Sequence, residues 1–159
     1  MTPSPFILGL ILVAGCPAGV SEEGRAHRPV DHQAMELEVH RLVNQERTAR
    51  GRPALSHDEA IAAIAREHSV NMARGVAAFG HDGFAARVEK VRAIRPEAVF
   101  AENVGMNDHP APESPNIAVQ GWIASPGHRE NLLGGYARTG VGVARRGDGT
   151  FFYTQIYVD

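Results

Sequence analysis

Thr139-Gly-Val-Gly-Val-Ala144, then Arg145-Arg-Gly-Asp-Gly149, then Phe151-Phe-Tyr-Thr-Gln-Ile-Tyr-Val158: this closing stretch decides the fold. Two runs rich in β-branched and aromatic residues flank an Asp-Gly pair, the strongest short signal for an antiparallel hairpin. Working back from it, Ser125-Pro126 is a cap-then-proline signal that opens a short helical turn ending at Gly134-Gly135. Ser114-Pro115 gives the same signal for a longer helix carrying Ala118, Val119 and Trp122. Residues 107–114 read as a loop and 98–104 as a strand. Phe84 to Ile94 forms a helix with Phe84, Val88 and Val91 inward. Ser56-His57-Asp58-Glu59 has the S-x-x-E form of a capping box. It predicts a helix with Ile61, Ile64, Ala65, His68 and Met72 on one stripe, ending before Gly75. The first helix spans Gln33 to Arg50, with Met35, Val39, Leu42 and Val43 at helical spacing and Gly51 as its stop. Helices followed by antiparallel strands predict an α+β sandwich in which helices cover the sheet.

At 159 residues the chain has room for one domain and a short leader. Lys and Arg number 16 against 18 acids, a net charge of −2, which gives no electrostatic ground for a nucleic-acid partner. The run Phe6 to Ala14 is too short for a bilayer span of roughly 20 residues. It fits the apolar core of a signal peptide, although no Lys or Arg precedes it. Val13-Ala-Gly-Cys16 is similar to a bacterial lipobox, which makes Cys16 the lipidation site and the membrane a partner through that anchor. An ordinary secretory signal cleaved near Ala18-Gly19 is the alternative. The chain is therefore read as a signal peptide over 1–16, a flexible tether over 17–33 and one domain over 34–159, placed outside the cytoplasm. Cys16 is the single cysteine, so the domain has no disulfide, no thiolate zinc site and no cysteine nucleophile.

The order of motifs resembles a known family. Leu42-Val-Asn-Gln-Glu-Arg47, Ala65-Arg-Glu-His-Ser-Val-Asn-Met-Ala73, Phe79-Gly-His81 and Ala101-Glu-Asn-Val104 are similar to successive motifs of CAP (SCP) domains. Trp122-Ile-Ala-Ser-Pro-Gly-His-Arg-Glu-Asn-Leu132 is similar to the bacterial W-x-x-S-P-G-H-R-x-N-[IL] motif, the most specific of the set. Gly140-Val-Gly-Val143 and Tyr153-Thr-Gln155 match the closing hairpin. The resemblance implies a three-layer α-β-α sandwich with a His/Glu-lined cleft, in a family linked to divalent-metal, lipid or sterol binding and, less securely, to proteolysis. Two positions depart from the cleft's usual two histidines and two glutamates: Phe152 stands where one histidine belongs and Ser125 where one glutamate belongs. His81 and Glu102 carry over directly, and His128 comes from the bacterial motif.

His81, Glu102 and His128 are therefore the candidate site, with Asn103 and Gln155 as further cleft-lining residues. Two imidazoles and a carboxylate can form an open ligand set for zinc or another divalent cation, and a bound ion would acidify water for hydrolysis. The same residues can equally be braces, hydrogen-bonded to one another around the cleft. No H-E-x-x-H signature decides between these readings. His68 reads as a core histidine with its ring nitrogens satisfied, and Trp122 as a core anchor. Asn103, Asn131 and Gln155 read as partners of backbone groups, and Ser125 as a helix cap with no evident base beside it. Arg145-Arg146 reads as a solvated turn. The first functional reading is a non-enzymatic module that holds a lipid, small-molecule or protein ligand. A metal-dependent, peptidase-like hydrolase and a purely structural envelope protein are the alternatives, and no catalytic residue is assigned.

Overall fold

Residues 30–96 and 99–159 are described in the computed structural model of the chain. The expected signal sequence, Cys16 and nearly all of the expected tether lie outside these residues. The helices are α1 (His32–Ala49), α2 (Glu59–Ala73), α3 (Phe84–Arg92), α4 (Ser114–Ala124) and α5 (Pro126–Leu132). The strands are β1 (Ser56–His57), β2 (Phe100–Asn107), β3 (Arg138–Arg145) and β4 (Phe151–Val158), in the sheet order β1-β3-β4-β2. β4 runs antiparallel to both of its neighbours, β3 and β2, and β1 adds two residues parallel to β3.

Alternation along the strands sorts the sheet into two faces. Registers Gly140↔Ile156, Gly142↔Thr154, Glu102↔Ile156 and Val104↔Thr154 place these residues on one face, under α2 and α3. Val141, Val143, Tyr153, Tyr157 and Ala101 lie on the other and pack with Met35, Val39, Val43, Trp122 and Leu132 of α1, α4 and α5. This is the three-layer α-β-α sandwich that the resemblance implied.

Glycines on β3 set the spacing of the first layer. A Cβ at Gly140 would stand 2.1 Å from the Ala62 nitrogen, and one at Gly142 would stand 2.1 Å from the Arg66 nitrogen. The backbone of α2 therefore lies directly on the strand, at a distance no side chain permits. Ser69 of α2 locks the seat: its hydroxyl donates to the Gly142 carbonyl and shares a hydrogen bond with the Thr154 hydroxyl, both at 2.9 Å. On the opposite face Arg47 of α1 is 1% exposed, and its guanidinium donates to the carbonyls of Pro53, Leu132, Gly134 and Tyr136. It gathers the end of α5 and the approach to β3 under α1, as a buried charge must if it is to replace its water.

Side chains also close the two sheet edges. On β3, beyond the short β1, Glu36 Oε1 accepts from the Val143 nitrogen at 3.0 Å while Arg66 holds the carboxylate at 2.7 and 2.8 Å. On β2, the carbonyls of Glu102 and Val104 face away from β4 and accept from Asn131 Nδ2 and Trp122 Nε1.

Three helix starts differ from the sequence reading. α1 begins at His32, because the Asp31 side chain accepts from the Ala34 nitrogen. α2 is capped by Asp58, which accepts from the Ala60 and Ile61 nitrogens, while Ser56 and His57 pair with Arg138 and Thr139 as β1. The supposed capping box is thus a strand residue pair followed by an Asp cap. Ser114 is the first residue of α4 but does not cap it, since its hydroxyl is buried and donates to Asn107 Oδ1. β2 also runs three residues further than expected, to Asn107.

Gly142→Ala must push α2 off the sheet or bend β3. Its cost is expected to reach at least the upper end of overpacking penalties, about 3 kcal/mol. Urea unfolding of the variant checks this, and a loss below about 1 kcal/mol would show that the helix yields easily.

Candidate functional site

The site forms where the loop after α2 returns across the α2/α3 face of β2. His68 sits on the buried stripe of α2, and its Nε2 lies 2.8 Å from the Gly80 carbonyl. Gly80 takes a φ of 141°, open to glycine alone. This contact fixes the turn that delivers His81 to β2. His81 Nδ1 then meets Glu102 Oε1 at 2.9 Å, with the imidazole 52% exposed and the carboxylate buried.

Arg87 holds that carboxylate from α3. Its Nε donates to Glu102 Oε2 and its Nη2 to Oε1, both at 2.6 Å, and its Nη1 donates to the Asp82 carbonyl at 2.7 Å. This is a bidentate, charge-assisted pair of the strongest kind. Arg87 is 7% exposed, so both charges are withdrawn from water together. The sequence reading missed Arg87. It sits on a helix of ordinary polar composition, and only the register of α3 against β2 reveals its role; its place one turn inside α3, beside inward-facing Val88 and Val91, was the single available signal.

His128 approaches from α5, on the other side of the β2 edge. Its Nδ1 lies 2.9 Å from Ser125 Oγ. Burial, with the charge of nearby His81 as a second cause, holds its pKa below the usual imidazole range. Ser125 therefore does have an imidazole beside it, three residues along the same turn, which the sequence reading did not see. Among the described residues no carboxylate is hydrogen-bonded to the His128 ring, so the pair lacks the third group that would orient the base. The three candidates thus gather around one strand edge, but only His81 and Glu102 touch.

Asn103 and Gln155 do not line this cleft. They alternate to the opposite face of the sheet and are 0% exposed. Asn103 Nδ2 donates to the His128 carbonyl at 2.9 Å and to Tyr157 Oη at 3.1 Å, while its Oδ1 accepts from Asn131 Nδ2 at 3.0 Å. Gln155 Nε2 donates to Thr139 Oγ1, and its Oε1 accepts from Tyr157 Oη at 2.8 Å. They form a buried polar network that fixes α5 against β2 from below. Phe152, at the position of the family's second histidine, is fully buried beneath Arg146.

A metal does not fit this donor set. Both oxygens of Glu102 are engaged by Arg87, and a guanidinium 2.6 Å away is the wrong neighbour for a cation. Among the described residues no group of three or more His, Cys, Asp and Glu side chains is arranged to hold an ion.

The family model for cysteine-rich secretory proteins (CAP) matches residues 40–157, which is most of the chain. The chain belongs to the CAP family. Among solved structures, the CAP domain is similar to an extracellular SCP-domain protein of Bacillus anthracis, at 27% identity and a TM-score of 0.67, covering 80% of this chain and 41% of that one. An outer surface protein of Borrelia burgdorferi shares 14% identity with a TM-score of 0.68, over 82% and 96% of the two chains. A cysteine-rich secretory protein of Staphylococcus aureus shares 22% identity with a TM-score of 0.60, over 80% and 39%. The last two likenesses are of fold. The chain spans well under half the length of the Bacillus and Staphylococcus proteins. Comparison with curated proteins returned no match. Among the described residues of the CAP domain no helix is long and apolar enough to cross a membrane.

Replacing Arg87 by Met strands a buried carboxylate, which is expected to cost about 3–5 kcal/mol at neutral pH. The loss should shrink in acid, because the stranded Glu102 then binds its proton more readily folded than unfolded. Denaturant melts of R87M at pH 7 and pH 5 check both parts. In the intact protein the depressed pKa values of His68 and His128 act the other way. The unfolded chain binds those protons first, so stability should fall as pH drops below about 6.5. His68→Gln should flatten that fall.

Proposed function

We propose that this CAP domain is a non-enzymatic binding module, displayed outside the cytoplasm, whose contact surface is the rim formed by His81 and His128. The observation that carries this reading is the Arg87–Glu102 pair. A carboxylate with both oxygens held by a guanidinium is a brace: it is neither a free general base nor an open metal ligand. What remains outward is recognition chemistry. His81 is half exposed, held at one nitrogen by Glu102 and, among the described residues, free at the other to meet a ligand. His128 lies close by, its pKa lowered and its ring able to donate or accept. Placement outside the cytoplasm is supported by the lipobox-like leader and by relatives described as extracellular or outer-surface proteins.

The hydrolase reading requires Glu102 to leave Arg87, and nothing in the geometry invites it to do so. Calorimetric titration of the full chain with zinc alone separates the two. The binding-module reading expects no uptake at micromolar zinc and no cleavage of fluorescent casein with or without the metal. His81→Ala and Glu102→Gln should each lose about 1–3 kcal/mol of stability through the partner left unpaired. Stoichiometric zinc uptake that Glu102→Gln abolishes, with casein cleavage, would overturn it. For display, the full chain made in a bacterial host should sediment with membranes, since the acyl chains of a lipoprotein anchor stably. Cys16→Ser should release it or leave it unprocessed, and a mature terminus beyond Ala18 would remove the anchor from the reading.

A further inference from the structure

A second concave surface lies beside the β3 edge beyond β1, away from the His81 rim. It is a groove of about 340 Å³ between the start of α1, the end of α2 and the β3–β4 turn. Its lining includes His32, Arg66, Arg74, Arg145 and Arg146, and among the described residues no carboxylate. The whole chain carries a net charge of −2, so this concentration of cations is a local departure from the protein's own balance.

The arginines differ in how far they are already engaged. Arg66 is neutralised by Glu36 and Glu59. Arg146 stacks on the Phe152 ring at 4.5 Å and donates from Nε and Nη2 to the Ala73 and Met72 carbonyls, which close the end of α2. Its Nη1 remains, with exposed Asp148 4.0 Å away. Arg145 stacks over the Phe151 ring at 5.4 Å and, among the described residues, uses only Nε, on the Gly149 carbonyl. Arg74 has no hydrogen-bond or ion-pair partner among the described residues. His32 Nε2 is buried, likewise without a partner among them. The turn is exposed, as the sequence reading of Arg145-Arg146 had it, and each guanidinium in addition lies over an aromatic ring, with donors left over.

We propose that this groove binds a phosphate group, held between Arg74, Arg145 and Arg146. Forked guanidinium donors match the oxygens of a phosphate. Three positive charges drawn from two separate segments suit an anion of nearly two negative charges better than a single carboxylate. The volume falls at the lower end for small-molecule sites, enough for a phosphate and part of what carries it. A phosphorylated small molecule and a phospholipid headgroup share this chemistry.

The test uses the full chain carrying Cys16→Ser, so that no acyl chain contributes. Titrated calorimetrically with pyrophosphate at low ionic strength, it should bind saturably and lose affinity as salt is added. Arg74→Glu, at a side chain with no partner among the described residues, should weaken binding at least about tenfold. Arg138→Glu, at the far end of β3 and with the same change in net charge, should leave it unaltered. Flotation with phosphatidylglycerol and phosphatidylcholine vesicles assigns the source. Retention on the anionic vesicles that Arg74→Glu abolishes points to a headgroup, and pyrophosphate binding without retention points to a soluble phosphate. The proposal is overturned by absence of saturable pyrophosphate binding up to about 10 mM, or by equal losses in the two variants, whatever the vesicles show.

Discussion

The close approach of α2 to β3 is the constraint from which the remaining geometry follows. Gly140 and Gly142 remove two side chains from the strand, and the helix backbone occupies their place. That seat fixes the height and direction of α2. His68, on the same helix, can then reach the Gly80 carbonyl and pin the turn ahead of His81. Were the helix held a side chain's width further out, the imidazole would fall short of that carbonyl. The loop bearing His81 would then have no fixed position over Glu102. Two glycines on a strand thus position an imidazole elsewhere in the fold, through packing alone.

The layer below is held by different means. Arg47 gathers four carbonyls under α1, and the network of Asn103, Asn131, Gln155 and Tyr157 ties α5 to β2. Burial raises the pKa of Tyr157, with the guanidinium of Arg47 opposing, so the phenol stays neutral and can donate to Gln155. The rim of the site therefore stands between a packed layer above and a hydrogen-bonded layer below, with the β2 strand as their common boundary.

Much of this was legible in the residues. The hairpin turn, the helical stripes and the inward Trp122 follow from periodicity and turn chemistry, and the CAP resemblance supplied the layer order. His81 and Glu102 could be paired because motifs name them. What escaped was information carried by register. Whether a strand residue faces the cleft or the core depends on parity: Glu102 and Asn103 are neighbours in sequence and sit on opposite faces, and Gln155 shares the fate of Asn103. The role of Arg87 depends on how α3 is rotated against β2, and no local pattern encodes that rotation. The Ser56 capping box failed for a similar reason, since pairing with β3 won over a local hydrogen bond.

An open four-stranded sheet would ordinarily present two rows of backbone groups to any passing strand, and so invite fibre-like or swapped assemblies. Here each row is interrupted by a side chain from a helix: Glu36 at Val143 on one edge, Trp122 and Asn131 at Val104 and Glu102 on the other. A foreign strand would have to displace a buried carboxylate or an indole before it could add. The CAP domain thereby carries its own protection against self-association in its tertiary contacts. That protection is lost the moment the helices detach, so partial unfolding and aggregation should begin together in this protein.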